Sequence, residues 1–442
     1  MTIPNHGGNT TRESIGTLAR GRTVKSRIAF RLFSFFVVMG PGLIVMEADN
    51  DAGAVSTYTQ AGAQYGLHLL WLMLLLLPIC YFVQEMVARL GIATGQGHAK
   101  MIYHRFGKWW GRFSLIDLLF VNFLTLVTEF AAISLAFTHL GVSPYIALPI
   151  ATVALVALVM TGSYRRWERF MVVLCLLDIT WIVLAAMSGA SGSEVLHRTL
   201  VPNIPAGGIT PGLVFLVVAI VGTTIAPWQL FFQQSCVADK RLRFADLTNA
   251  RIDTFVGATF TIVVAASMVL VGDQARRHGI TYEDPAQMAA ALLPFVGPVA
   301  HKAMLLLMIN AAVLGTTAIS LSSAWAYGEV MGWTHSLEKS VRDAPGFYAV
   351  YALCVVLAAA IVLIPGAPLQ LIILGVQVLA GVILPSAIIF LQLLLNDREL
   401  LGAEFANKPW NNVINWTIIV ALFALSLVLA AQVLLPSLFP AG

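Results

Sequence analysis

The chain has 442 residues, of which 58% are hydrophobic and only 11% are charged, with a formal net charge of +4. Soluble globular proteins carry about 25% charged residues, so this composition excludes a water-exposed globular surface. The nine histidines form no His-Glu-x-x-His motif and no Gly-x-Ser-x-Gly motif occurs, so we expect no enzymatic activity.

The apolar residues form blocks of about 20, which is the length needed to cross about 30 Å of hydrocarbon. Backbone groups find no water there, so each block must be a helix, and the blocks lack the alternation of barrel strands. The sequence predicts eleven membrane-spanning helices. They lie near residues 29–63, 67–92, 113–139, 144–162, 170–190, 211–238, 250–272, 299–327, 347–365, 368–395 and 411–437. We therefore predict an all-α integral membrane protein.

The distribution of Lys and Arg predicts how the chain is oriented, because cytoplasmic loops are enriched in both residues. If residues 1–28 form a basic cytoplasmic tail, all but four of the 26 Lys and Arg fall on the cytoplasmic side. The four exceptions are Arg198, Arg276, Arg277 and Lys302. We expect a cytoplasmic N-terminus, an external C-terminus, no signal peptide and no nucleic-acid partner. Residues 29–442 are then one domain in the cytoplasmic (inner) membrane.

Two of the blocks contain polar or helix-breaking residues at mid-membrane depth. The first holds Glu47, Asp49 and Asp51, and charges inside a membrane are usually functional. The sixth holds Pro227, which removes one backbone donor and blocks the carbonyl of Thr223. Each feature alone is compatible with an ordinary kink or a locally paired acid. Together, five blocks apart, they are typical of an inverted-repeat transporter with its site at the midplane.

The motifs of the chain resemble those of the NRAMP divalent-metal transporters. These are GPG at 40–42, DAGA at 51–54, QAGAQ at 60–64, ARLGIATG at 88–95, APW at 226–228, and Gln377 followed by Pro385. The resemblance implies the LeuT-type fold, with discontinuous helices 1 and 6. It also implies inverted repeats at about 29–190 and 211–395, with an extra helix at 411–437. The transported ion is then a substrate, and no cofactor is expected.

Departures from the family motifs point to a particular metal. The family's DPGN reads DAGA here, which keeps the carboxylate of Asp51 and loses an amide, and its Met-Pro-His reads Ala226-Pro227-Trp228. A thioether favours transition metals, whereas Mg²⁺ prefers oxygen and keeps several waters. The chain therefore looks like the NRAMP-related magnesium transporters, which implies transport of Mg²⁺ and also Mn²⁺.

The same comparison bears on proton coupling. Relatives that are proton-coupled use the missing histidine and two acids of the third helix, where this chain has Glu129 but Ala132 at the second position. The ninth block also contains no arginine. We therefore expect uncoupled transport, driven by the gradient and by a potential worth about 2.3 kcal/mol per charge at 100 mV.

Roles for individual residues follow from the motif positions. Asp51 is the predicted charged ligand, acting directly or through water, and the Thr223 carbonyl and Ala226 backbone are candidate ligands. Gln229 and Gln377 either hydrogen-bond the waters of the ion or bridge helices.

Further candidates are Gly53 and Ala54 in the first motif, Trp228 as a wall of the cavity, and Glu129 as a second acid or a structural partner. Glu47 and Asp49 either form an acidic approach path or face cytoplasmic water.

Three rival functions stay open at this stage. The nearest is a proton-coupled Mn²⁺/Fe²⁺ symporter, against which Ala226 and Trp228 argue. A sodium-coupled amino-acid symporter could share the fold, but the acid cluster at 47–51 disfavours an anionic substrate. A pore is the third, and measurement of single-turnover flux rates would distinguish it from a fast uniporter. The expected partners are divalent metal ions and the lipid bilayer, and a monomer is compatible with the sequence.

Overall fold

The computed structural model describes residues 40–205 and 207–434, and across this part of the chain the regular structure is entirely helical. The predicted basic tail at 1–28 and the start of the first block, residues 29–39, lie outside the described residues. The longer helices carry the apolar blocks predicted from sequence, and three of the blocks, the first, the fifth and the sixth, are each divided between two helices.

Seventeen α-helices make up the described part. They are α1 (Pro41–Glu47), α2 (Ala52–Tyr65), α3 (Leu70–Thr94), α4 (His98–Phe106), α5 (Lys108–His139), α6 (Pro144–Val159), α7 (Tyr164–Leu177), α8 (Ile179–Ala186), α9 (Gly192–Leu200), α10 (Pro211–Thr224), α11 (Pro227–Asp239), α12 (Leu247–Arg277), α13 (Pro285–Met331), α14 (Pro345–Val362), α15 (Leu369–Leu395), α16 (Arg398–Phe405) and α17 (Pro409–Leu434). Short 3₁₀ turns precede α3 and α12.

Nine helical stretches of the described chain are long and apolar enough to cross a membrane. One of them, Ala52–Thr94, spans two of the predicted blocks, and α6 is a shorter apolar helix. The count of eleven stays a prediction. One predicted boundary is wrong: the sequence places the start of the fifth block near residue 170, but α7 begins at Tyr164. Within α13, Gly297 has non-helical torsion angles (φ 80°, ψ 169°) and divides a preceding helical segment from the helix over the eighth block, which therefore begins close to the predicted residue 299.

The first and sixth blocks are interrupted, as the sequence predicted. Residues 48–51 separate α1 from α2, and residues 225–226 separate α10 from α11. Pro227 opens α11, where a missing N–H costs nothing. Asp51 precedes α2 as its N-cap residue. Each break therefore lies where the sequence offers a good helix start.

The N-terminus of α1 is held by α12 through one carboxylate. Asp253 accepts backbone hydrogen bonds from Gly40 at 3.2 Å, Gly42 at 2.7 Å and Leu43 at 3.2 Å. These donors belong to the first helical turn, where no carbonyl of the same helix can accept them. Asp253 is 2% exposed, so a single buried side chain satisfies the start of α1.

Glycines let the interrupted helices approach their neighbours closely. A Cβ on Gly62 of α2 would lie 2.0 Å from the Val269 carbonyl oxygen of α12, and one on Gly272 of α12 would lie 2.1 Å from the Thr59 carbonyl oxygen. A Cβ on Gly222 of α10 would lie 2.1 Å from the Gln377 carbonyl oxygen of α15. Small residues at such contacts are the usual basis of helix packing in lipid.

We predict that Gly222→Ala separates α10 from α15 and lowers the free energy of unfolding by about 1–3 kcal/mol, as overpacking does elsewhere. The obstructing atoms are backbone, so no side chain can move aside to accept the methyl group. Thermal unfolding of the purified protein in detergent measures the effect. The matched control is Gly375→Ala on the neighbouring helix α15. A Cβ there would have no atom within 4 Å, so this change should be neutral or stabilising. Equal midpoints for both variants would contradict the close packing.

Candidate functional site

The break in the first block is organised around Asp51. Its Oδ1 accepts a hydrogen bond of 2.9 Å from the backbone N–H of Ala54, which is the usual action of an N-cap carboxylate. Asp51 is 2% exposed. Its charge is therefore held at the positive end of α2 and shielded from bulk solvent.

A second carboxylate, that of Glu129 on α5, meets Asp51 at the surface of α13. A Cβ on Gly315 of α13 would lie 2.8 Å from both the Asp51 Cβ and the Glu129 Cδ. Glu129 Oε2 accepts a 3.1 Å hydrogen bond from the backbone N–H of Ala52, the first residue of α2. Glu129 is thus at once a structural partner of α2 and an acid beside the predicted ligand, while its Oε1 has no hydrogen-bond partner.

The side chain of Gln377 on α15 lies against Gly53. A Cβ built on Gly53 would fall 1.6 Å from Gln377 Nε2 and 3.1 Å from Asp51 Oδ1. Gly53 therefore leaves the space that the Gln377 amide occupies next to Asp51. Gln377 Nε2 is buried without a hydrogen-bond partner. The structure thus brings together Asp51, Gly53, Gln377 and Glu129 of the predicted set.

The second break, between α10 and α11, adjoins the first. Thr224 Oγ1 lies 2.7 Å from the Tyr58 hydroxyl of α2, and the two form a buried hydrogen bond. Pro227 has no N–H to donate to the Thr223 carbonyl four residues earlier. The Ala226 carbonyl accepts a 3.2 Å bond from the Gln229 N–H. The Thr223 hydroxyl is buried with no partner.

Gln229 bridges helices, which was one of its two predicted roles. Its Oε1 accepts a 2.9 Å hydrogen bond from Gln84 Nε2 on α3. Its Nε2 has no hydrogen-bond partner and faces Asp49. Trp228 is fully buried and packs edge-on against Phe232 with ring centroids 6.0 Å apart.

The interpretation in which Glu47 and Asp49 face cytoplasmic water is wrong for this structure. Glu47 is 0% exposed and Asp49 is 1% exposed. Glu47 accepts hydrogen bonds from Asn50 and Thr261, whereas neither oxygen of Asp49 has a partner. Neighbouring helices cover this side of the break, so both acids belong to the interior.

The donor set at the breaks combines the buried carboxyl groups of Glu47, Asp49, Asp51 and Glu129 with carbonyl and amide oxygens. Within residues 40–205 and 207–434, no group of three or more His, Cys, Asp or Glu side chains is arranged to hold a metal ion. A cation at these breaks would therefore rely on Asp51, carbonyl oxygens and amide side chains, with water completing its shell. Hard, oxygen-preferring ions are suited to such a set.

Sequence reasoning missed Gly315, Tyr58 and Gln84. Gly315 lies in an otherwise ordinary apolar run, and only the fold shows that Asp51 and Glu129 pack on it. Tyr58 lies on α2 seven residues after Asp51 and is fully buried. The hydroxyl of a buried tyrosine usually has a hydrogen-bond partner. Tyr58 in an apolar helix therefore indicated a polar group on a neighbouring helix.

The interrupted helices, the buried carboxylate at one break and the nine apolar stretches define a multi-pass α-helical membrane transporter. Residues 42–432 match the family model of natural resistance-associated macrophage protein-like (Nramp) proteins. The chain belongs to the Nramp family. The prediction of that family, and of a transporter instead of an enzyme, is confirmed.

Individual relatives agree with this assignment. The divalent metal cation transporter MntH of Staphylococcus aureus (strain bovine RF122 / ET3-1) is 24% identical, with 90% of this chain and 91% of that protein covered. A manganese transporter of Eremococcus coleocola has a similar structure, with a TM-score of 0.73, 19% identity and coverage of 90% and 87%. MhsT bound to L-phenylalanine gives a TM-score of 0.59, with 13% identity and coverage of 89% and 98%. The predicted fold class is confirmed.

We predict that Glu129→Ala destabilises the protein by about 1–3 kcal/mol, because the Ala52 N–H loses its buried acceptor. Glu129→Gln keeps an oxygen that can accept this bond, so its stability should stay within about 1 kcal/mol of the native value. Thermal unfolding of both variants in detergent measures the difference. If the two variants are equally destabilised, the charge of Glu129 and not its hydrogen bond holds α2.

Proposed function

We propose that this Nramp-family protein carries divalent metal cations, chiefly Mg²⁺ and also Mn²⁺, across the cytoplasmic membrane without obligatory proton coupling. Transport of divalent metals is the activity named for its MntH relative, which is similar over nine-tenths of both chains. The choice of Mg²⁺ rests on the residues at the two breaks. In this proposal Asp51 and the Thr223 and Ala226 carbonyls hold the ion, and Gln377 and Gln229 contact its water shell.

The observation that carries the proposal is the substitution at the second break. Ala226 and Trp228 stand where the family motif has a thioether and an imidazole. Without them the available ligands are oxygens, and oxygens do not discriminate against Mg²⁺. Mg²⁺ keeps several waters when it binds proteins, and the short Ala226 side chain leaves volume for them. Trp228 is buried against the ring of Phe232, and in this proposal it forms the wall of that space.

Uncoupled transport is supported by the surroundings of Glu129. The second acidic position of α5 is Ala132, which is buried and carries no titratable group. Glu129 itself is engaged by the Ala52 N–H. A relay of acids along α5 is therefore interrupted after one member. An inside-negative potential contributes about 2.3 kcal/mol per charge at 100 mV, so inward flux of a divalent ion proceeds without a proton.

We predict that Asp51→Asn lowers Mg²⁺ uptake into proteoliposomes by at least about tenfold, because loss of even an outer-shell partner of a bound metal typically costs about 10–100-fold. Asparagine remains a good N-cap, so the change removes the charge and keeps the start of α2. Uptake is measured with an internal Mg²⁺-sensitive dye, and a parallel pH dye should show no acidification with the native chain.

Asp117→Asn is the matched control for that experiment. Asp117 lies on α5, hydrogen-bonded to Ser386 and away from the breaks, so its loss should leave uptake unchanged. Mn²⁺ uptake accompanied by protons, with no Mg²⁺ flux, would instead indicate a proton-coupled Mn²⁺/Fe²⁺ symporter.

We predict that Ala226→Met raises the ratio of Mn²⁺ to Mg²⁺ uptake by about tenfold, equivalent to about 1.4 kcal/mol of preference. The thioether is a soft ligand that Mn²⁺ tolerates better than Mg²⁺ does. Ala226→Leu has a similar volume and no sulfur, so it should slow both ions without changing their ratio. Equal ratios for the Met and Leu variants would mean that position 226 does not contact the ion.

A further inference from the structure

A second polar cluster lies on the α1 side of the first break. It joins Glu47 at the end of α1, Asn50 in the break, Asp178 between α7 and α8, Asn310 of α13 and Thr261 of α12. None is more than 7% exposed. The carboxyl groups of Glu47 and Asp178 lie close to each other. Two acids from distant parts of the chain are thus buried face to face.

The hydrogen bonds around these acids use every donor of the two asparagines. Asn50 Nδ2 donates to Glu47 Oε1 at 3.1 Å and to the Thr261 carbonyl at 3.2 Å. Asn310 Nδ2 donates to Asp178 Oδ1 at 2.9 Å and to the Leu174 carbonyl at 3.1 Å. The Thr261 hydroxyl donates to Glu47 Oε2 at 3.1 Å.

Three oxygens of the cluster are left without any donor. They are Asp178 Oδ2, Asn50 Oδ1 and Asn310 Oδ1. Buried oxygens without partners are costly, and native proteins normally satisfy them. A single proton shared by the two carboxyl groups would satisfy at most the Asp178 oxygen, and both amide oxygens would stay unpaired.

The charges around the cluster do not neutralise it. No ion pair among the described residues includes Glu47 or Asp178. The other titratable groups that face it are Asp49, which is also acidic, and Cys175. The C-terminal end of α1 adds the negative end of a helix dipole. The acids and the helix end therefore both favour a positive charge at this place.

We propose that Asp178, Asn50, Asn310 and Glu47 form a binding site for a monovalent cation of the Na⁺ type. Its free ligands are one carboxylate oxygen and two neutral amide oxygens, and the single charge of this set is balanced by a monovalent cation. Carbonyls at the end of an interrupted membrane helix commonly complete such sites. The bound cation would tie α1 to α7, α12 and α13. The site is separate from the predicted Asp51 ligand set and independent of which divalent metal is transported.

The test measures ²²Na⁺ binding by equilibrium dialysis to the purified full chain, with choline replacing other cations and no divalent metal present. We expect about one Na⁺ per native chain, competed by Li⁺ or Na⁺ better than by K⁺. Asp178→Asn keeps the acceptor for Asn310 but removes the charge, and it should weaken Na⁺ binding at least about tenfold. Glu47→Gln should also weaken Na⁺ binding.

Asp117→Asn is again the matched control and should bind Na⁺ as the native chain does, because its side chain accepts a hydrogen bond from Ser386 and contacts no member of the cluster among the described residues. Size-exclusion profiles verify that each variant is folded. If a variant fails to fold, the measured Na⁺ binding of the native chain decides the proposal. Absence of Na⁺ binding by the native chain, binding unchanged in both cluster variants, or displacement of Na⁺ only by Ca²⁺ would each overturn it.

Discussion

The constraint on which this structure depends is the need to satisfy a helix broken inside hydrocarbon. Each break exposes backbone donors and acceptors that water cannot reach. At the first break, Glu129 accepts the Ala52 N–H and Asp51 accepts the Ala54 N–H. At the second, Pro227 is the first residue of α11, where a backbone N–H would have no carbonyl acceptor within the helix. The acids that repair the backbone therefore concentrate negative charge at one depth.

This arrangement links local chemistry to the wider packing. Asp51 and Glu129 can meet only because Gly315 has no side chain, and Gln377 approaches Asp51 only because position 53 is glycine. The hydrogen bond between Tyr58 and Thr224 then fixes the two breaks side by side. Charge, close packing and backbone interruption thus occupy one small volume, and the proposed cation site uses the same residues that make the break stable.

The sequence was sufficient for the fold class, the two interruptions and the central acid, because each leaves a signal in a single segment. Apolar blocks indicate helices, Pro227 indicates the start of a helix, and Asp51 is an acid at mid-membrane depth. It was insufficient for contacts between segments. Nothing in the order of residues shows that Asp178 faces Glu47, because 131 positions separate them and only helix packing brings them together. The burial of Asp49 was missed for the same reason.

The capping of α1 by Asp253 has a mechanical consequence. Three hydrogen bonds converge on this one carboxylate, from Gly40, Gly42 and Leu43. A swing of α1 away from α12 cannot lengthen them one after another, since a rigid helical turn carries all three donors together. The three hydrogen bonds therefore form together or break together. Release of the start of α1 from α12 would then be a switch between two discrete positions, because all three of these bonds end on one side chain.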